Sequence, residues 1–220
     1  MNFNQDDKQH MFRALFIPAL LVFMMWAVKG LEILGGVSFT SLGIYPLKWY
    51  GLPGIILSPF IHADFNHLFN NSLPFILLST AIFYFYKPLA FKIIALIWIV
   101  TGICVWFGGR SAYHIGASGL IYGFAVFLFF SGVIRKNIKL MAISLLTVFL
   151  YGGLVWGVFP IDPLISWEAH LYGSLAGLTF AFIYADEGPQ KDEISDDEDL
   201  NDDDPYWEQT ETEDSGNEAI

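Results

Sequence analysis

Six separate runs of apolar residues in this chain are long enough to cross a lipid bilayer, which takes about 20 residues of helix. They fall at residues 12–34, 67–86, 89–107, 118–134, 138–159 and 167–185, and no stretch reads as a sheet. Lys87-Pro88 breaks the second run from the third, and Arg135-Lys136-Asn137 breaks the fourth from the fifth. Pro160-Ile161-Asp162-Pro163 separates the fifth from the sixth. A chain built this way is expected to be an all-α membrane protein, a six-transmembrane-helix bundle over 12–185. A short N-terminus, 1–11, precedes it and a tail, 186–220, follows.

Composition agrees. Hydrophobic residues make up 55% and aromatics 17% of the 220 residues, and the mean hydropathy is +0.50, well above a soluble domain. The net charge of −11 misleads, because the body to Ala185 has ten Lys/Arg against six Asp/Glu, while sixteen acids and one lysine follow it. The tail is acidic and poor in aliphatics, so it is expected to be disordered and solvated, with Tyr206-Trp207 as part of it. Cys104 is the sole cysteine, which excludes an intramolecular disulfide. The first run is too long for a signal-peptide core and lacks a small-residue cleavage site, so it reads as a retained helix.

Charge sets the expected orientation. Lys8, Arg13, Lys87, Lys92, Arg135, Lys136 and Lys139 all fall on one side of a six-helix topology. By the positive-inside rule that side is cytoplasmic, and so are both termini. The connection at 35–61 is rich in Gly, Pro and aromatics. Its segment 44–50 reads either as lying in the outer interface or as an ordinary extracellular loop.

The polar residues stranded in these runs carry the chemistry. Gly116-Ala117-Ser118-Gly119 opens the fourth run with a nucleophile-type serine, and His67, Asn71 and His170 stand on two other runs. Measured at 1.5 Å per residue from the cytoplasmic helix ends, Ser118, His170 and Asn71 share one level, roughly 24–25 Å up. That level lies about 5 Å inside the outer edge of a hydrocarbon core about 30 Å thick. His67 is one turn higher on the face of Asn71. Polar groups at such depth are costly unless they meet each other or water, so the four are expected to converge.

Acyl transfer would use them as follows. Ser118 is the nucleophile and His170 its general base, then general acid. Glu168, two residues from His170, faces another side of its helix and is read as nearer the aqueous surface, which leaves a dyad rather than a triad. The Ser118 N–H at the positive end of its helix, with His67 and Asn71, would form the oxyanion hole. Tyr122, one turn below Ser118, would stack on the imidazole. Gly119 and Gly123, and Gly173 and Gly177, are four apart on the fourth and sixth runs and would let those helices approach closely. His62 is read as supporting the mouth of the site, His114 as structural or solvated, and His10 as part of the N-terminus.

These residues carry a family resemblance. His62-x4-His67-x3-Asn71, Gly116-Ala117-Ser118-Gly119-x2-Tyr122 and His170-x2-Gly173-x3-Gly177, in that order over about residues 11–185, resemble the rhomboid intramembrane serine proteases. The resemblance implies a six-helix bundle, a Ser118–His170 dyad, His67 and Asn71 as oxyanion donors, and no metal or other cofactor. It implies single-span membrane proteins as substrates, cut at a small residue in a helix prone to unwind. The Trp-Arg pair common in the family's first loop is absent, and Lys48-Trp49-Tyr50 is the nearest match. The small single-module form favours a multi-pass protein of a bacterial cytoplasmic membrane, with no nucleic-acid partner.

Three other functions compete. A non-catalytic relative would be expected to lack Ser118 or His170. A metalloenzyme built on His62, His67 and His170 lacks the H-E-x-x-H helix signature. A transporter would need paired broken helices around a midplane site, and the polar level here is off-centre.

Overall fold

Helix α1, Gln5–Gly35, begins before the apolar run, because Asp6 and Asp7 occupy its first turn, where the helix dipole favours negative charge. It opens a computed structural model that describes residues 5–150, 156–161 and 165–189. Among the described residues there is no strand, only an isolated bridge between Ile44 and His114. A four-residue helix, α2 (Gly54–Leu57), follows α1, and then α3 (Phe65–Tyr86), α4 (Ala90–Gly108), α5 (Ser118–Arg135), α6 (Ile138–Leu150) and α7 (Trp167–Ile183).

Among the described residues, three helical stretches are long and apolar enough to cross a membrane: Gln5–Gly35, Phe65–Gly108, which contains α3 and α4, and Ser118–Arg135. Their burial separates centre from rim. The apolar stretch of α5 is 61% buried within the protein and that of α1 only 22%. Leu68, Phe75, Leu78, Ile82, Ile97, Phe124 and Phe127 fill the core that α5 shares with its neighbours. Phe12, Phe23, Phe69, Phe107, Phe149 and Phe182 point outward, an apolar rim suited to lipid.

Among the described residues, the most extensive helix–helix contact is between α5 and α7. A methyl group added at Gly173 would run into the carbonyl oxygen of Gly119, and one at Gly177 into that of Gly123. Both glycine pairs therefore sit where the backbones touch, as their spacing predicts.

Loop 36–61 is pinned rather than free. Ile44 and His114 exchange backbone hydrogen bonds of 3.0 and 2.8 Å. The indole N–H groups of Trp98 and Trp106 on α4 donate to the carbonyls of Ile55 and Lys48. Leu47 and Trp49 are left 65% and 81% exposed, apolar side chains on the outward face of this segment.

The fifth run departs from expectation. Its helix is described as Ile138–Leu150, and Trp156–Val158 form a 3-10 turn instead of the continuous helix expected to 159. Pro160 disfavours helical backbone at the residue before it, and Gly157 is a poor helix former. Gly152 and Gly153, also expected on this helix, lie outside the described residues, as does the tail from residue 190.

Candidate active site

Ser118 is the first residue of α5. The residue before it, Ala117, has no side chain able to cap the helix. The usual Ser, Thr, Asp or Asn cap would occupy the first free N–H groups. With alanine there, the positive helix end faces the space around Ser118.

That space contains His170, on the first turn of α7. Its Nε2 lies 2.7 Å from Ser118 Oγ, although 52 residues separate them. The other ring nitrogen, Nδ1, lies 2.8 Å from the carbonyl oxygen of Gly157. A carbonyl oxygen only accepts, so Nδ1 carries the proton and Nε2 is the bare nitrogen that receives the Ser118 hydroxyl. The Tyr122 ring covers the imidazole, stacked at 4.1 Å with 10° between the planes. The fit is tight, since a methyl at Gly157 would collide with the Tyr122 hydroxyl and come within 2.9 Å of His170 Nδ1.

The third wall is the head of α3. Asp64 caps this helix by accepting the N–H of His67 at 2.8 Å, which orients the turn that carries His67 and Asn71. Gly116, at φ +102°, occupies backbone that only glycine adopts without strain. A methyl there would sit 2.7 Å from His67 Nε2 and 3.5 Å from Asn71 Nδ2. Both donors therefore face the backbone two residues before Ser118. Asn71 Nδ2 is buried with no hydrogen-bond partner, a donor held ready for a ligand.

A charged clamp stands behind this wall. The Lys29 ammonium donates to the carbonyls of His62 and Ala63 at 3.0 and 2.9 Å, and pairs with Glu32 at 3.0 Å. Glu32 in turn accepts the Phe39 N–H at 2.6 Å. His62 is 2% exposed and packs edge-on against His67, with ring centres 5.0 Å apart. Burial, with His67 beside it, pushes the His62 pKa down from 6.5 to about 3, so the ring is neutral.

Ser118, His170 and Tyr122 thus come together with Gly116, His67 and Asn71 around one point, while Gly119, Gly173 and Gly177 pack the two helices together beneath it. His114 is buried and bonded, so of its two expected readings the structural one holds. Glu168 is 3% exposed and pairs with Arg110 at 3.4 Å, a partner that the sequence reading did not name. An Arg 58 residues away supplies the partner charge that makes this burial tolerable. Gly157 was missed as a site residue. A backbone acceptor leaves no mark in side-chain chemistry, and only its position beside Pro160 hinted at irregular structure.

Comparison with known proteins points one way. Residues 48–187 match the family model described as the Rhomboid domain. An uncharacterized protein of Mycobacterium tuberculosis is 33% identical over 171 residues, covering 74% of this chain and 71% of that one. An uncharacterized protein of Mycobacterium leprae is 32% identical over 176 residues, covering 74% and 69%. A protein of Acanthamoeba polyphaga mimivirus, named "Putative rhomboid protein", is 27% identical over 137 residues, covering 59% and 73%.

Proposed function

The chain belongs to the rhomboid family and is an integral membrane protein, and from that premise we propose that it is an intramembrane serine endopeptidase working through a Ser118–His170 dyad. The observation that carries this reading is the 2.7 Å contact between Ser118 Oγ and a bare His170 Nε2.

The steps follow from the atoms. His170 Nε2 takes the hydroxyl proton as Ser118 Oγ attacks a peptide carbonyl of the substrate. The carbonyl oxygen becomes an oxyanion, met by the Ser118 N–H, His67 Nε2 and Asn71 Nδ2. His170 then hands its proton to the leaving amine, and water hydrolyses the acyl-enzyme by the same route in reverse. Gly157 accepts the Nδ1–H throughout, which holds the ring in the productive tautomer where a triad would use a carboxylate. Because a helix hides its carbonyls, the substrate segment must unwind to react.

The reading includes six spans with both termini in the cytoplasm of a bacterium, in keeping with the positive-inside pattern and the mycobacterial relatives. In that orientation Ser118 and His170 lie near the outer face, and single-span membrane proteins would be cut toward their extracytoplasmic end. Helix α6 is the proposed side door for their entry.

Labelling with a fluorophosphonate, with cleavage of a reconstituted single-span substrate, tests the proposal. The wild type should label at Ser118 and cut near the outer end of the span, whereas folded Ser118→Ala should do neither. Cleavage by that variant at the wild-type rate would refute the serine mechanism, and a cut toward the cytoplasmic end would refute the orientation.

A further inference from the structure

The buried Glu168 and the part-exposed Arg110 form a charged pair that the proposed mechanism does not use. Glu168 Oε1 accepts the backbone N–H of Arg110 at 3.2 Å, and Oε2 lies 3.4 Å from Arg110 Nη1. Arg110 Nη2 donates to the Ile165 carbonyl at 2.8 Å. His114, four residues before Ser118, extends the seam. Its Nε2 donates to the Arg110 carbonyl at 3.1 Å, and its Nδ1 meets the Ser166 hydroxyl. The loop that feeds α5 is thereby stitched to residues 165–168, the approach to α7.

We propose that the Arg110–Glu168 pair is a positioning element that sets the Ser118–His170 spacing by locking the heads of α5 and α7 together. The inference rests on the dyad reading above. Two observations favour it over plain stabilisation. Glu168 stands two residues from His170 on α7, so the two side chains do not face each other and Glu168 makes no direct contact that would orient the imidazole. Further, an ion pair whose arginine side chain is 36% exposed is a poor source of stability, since its Coulomb gain is small in so wet a setting. A helix-dipole role alone would not call for a buried carboxylate, because an exposed acid in the first turn interacts with the dipole as well.

The pair and the glycine contact act at different levels. Gly119–Gly173 and Gly123–Gly177 bring α5 and α7 together below the dyad, and a methyl at Gly119 would also come within 3.0 Å of the Ala169 carbonyl oxygen. Arg110–Glu168 acts above the dyad, so that Ser118 and His170 are held from both ends.

The test compares full-length wild type with Glu168→Met, Arg110→Met and the double variant, in which neither charge is left unpaired. Fluorophosphonate labelling of Ser118, steady-state cleavage and thermal midpoint are read together. Under the proposal the double variant keeps the wild-type midpoint and KM. Its labelling and kcat fall on the order of 10²-fold, the usual cost of a displacement of about 1 Å in an active site. Recovery of wild-type labelling in the double variant would overturn the positioning role, since only the unpaired charges of the single variants would then have mattered. So would losses that track the thermal midpoint. An unlabelled, folded wild type would overturn the dyad reading itself, and this inference with it.

Discussion

The two walls of the site are built on different principles. Ser118 and His170 stand on α5 and α7, whose backbones touch through glycines, so no side chain intervenes that could change rotamer. His67 and Asn71 stand on α3, whose head is fixed by polar side chains: the Asp64 cap, the Lys29–Glu32 clamp and the buried His62. Backbone contact gives an all-or-none geometry, because a well-packed interface resists small displacement and fails at a large one. Polar pins act one at a time, and their loss should be graded. Under the proposed mechanism, nucleophile and base need tight registration, whereas an oxyanion hole with several donors tolerates the loss of one.

The sharpest way to break this contrast is at Gly173. Gly173→Leu puts a side chain where Gly119 O already stands, so it should abolish both cleavage and fluorophosphonate labelling. Overpacking of this kind costs about 1–3 kcal/mol or more, visible as a lowered thermal midpoint. Full labelling would mean that α5 and α7 separate without harm to the dyad.

On the other wall, Asn71→Ala should lower kcat by about 10²–10³, the cost of one oxyanion donor in a serine protease, with labelling reduced but present. An effect confined to KM would remove Asn71 from the transition state.

Gly157→Ala probes the segment that joins neither wall. The added methyl displaces either the turn or the His170 ring, and a shift of about 1 Å corresponds to a loss on the order of 10²-fold. The loss should be no greater than that, because the Ser118 contact survives. Unaltered kinetics would show that Nδ1 needs no fixed acceptor.

The smallest effect concerns stability and pH. His62 is neutral in the fold with a pKa of about 3, against 6.5 when exposed. The unfolded chain therefore binds the extra proton first, and stability should decline as pH falls from 6.5 toward 3. His62→Phe should flatten that part of the profile when thermal midpoints are compared across it. An unchanged slope would place the acid sensitivity elsewhere.

Much of this was legible in the sequence because membrane helices write their extent as apolar runs. The ends of α3, α4 and α5 fall within two residues of the runs that announced them. Tyr122 and the glycine pairs were legible for a related reason. Spacings of three and four specify a helix face whatever surrounds it. The run at 138–159 misled, because apolarity marks what can lie in lipid or in a core and does not say where a helix stops. Glu168 was legible only in part. Two residues of offset from His170 set its direction but not the partner waiting there.

The sequence by itself determined the class of the molecule, the order of its helices, and the residue types at one level of three of them. Local periodicity and the length of a membrane span are properties of a segment alone, so they survive without knowledge of its neighbours. Tertiary structure decided the pairings that cross the chain. These are Ser118 with His170, Gly157 O with Nδ1, Arg110 with Glu168, and Lys29 with the carbonyls before α3. Each joins groups 13 to 58 residues apart, and two of the four have a backbone atom as partner. Every residue carries that same carbonyl, so only the folded path of the chain selects which one is met.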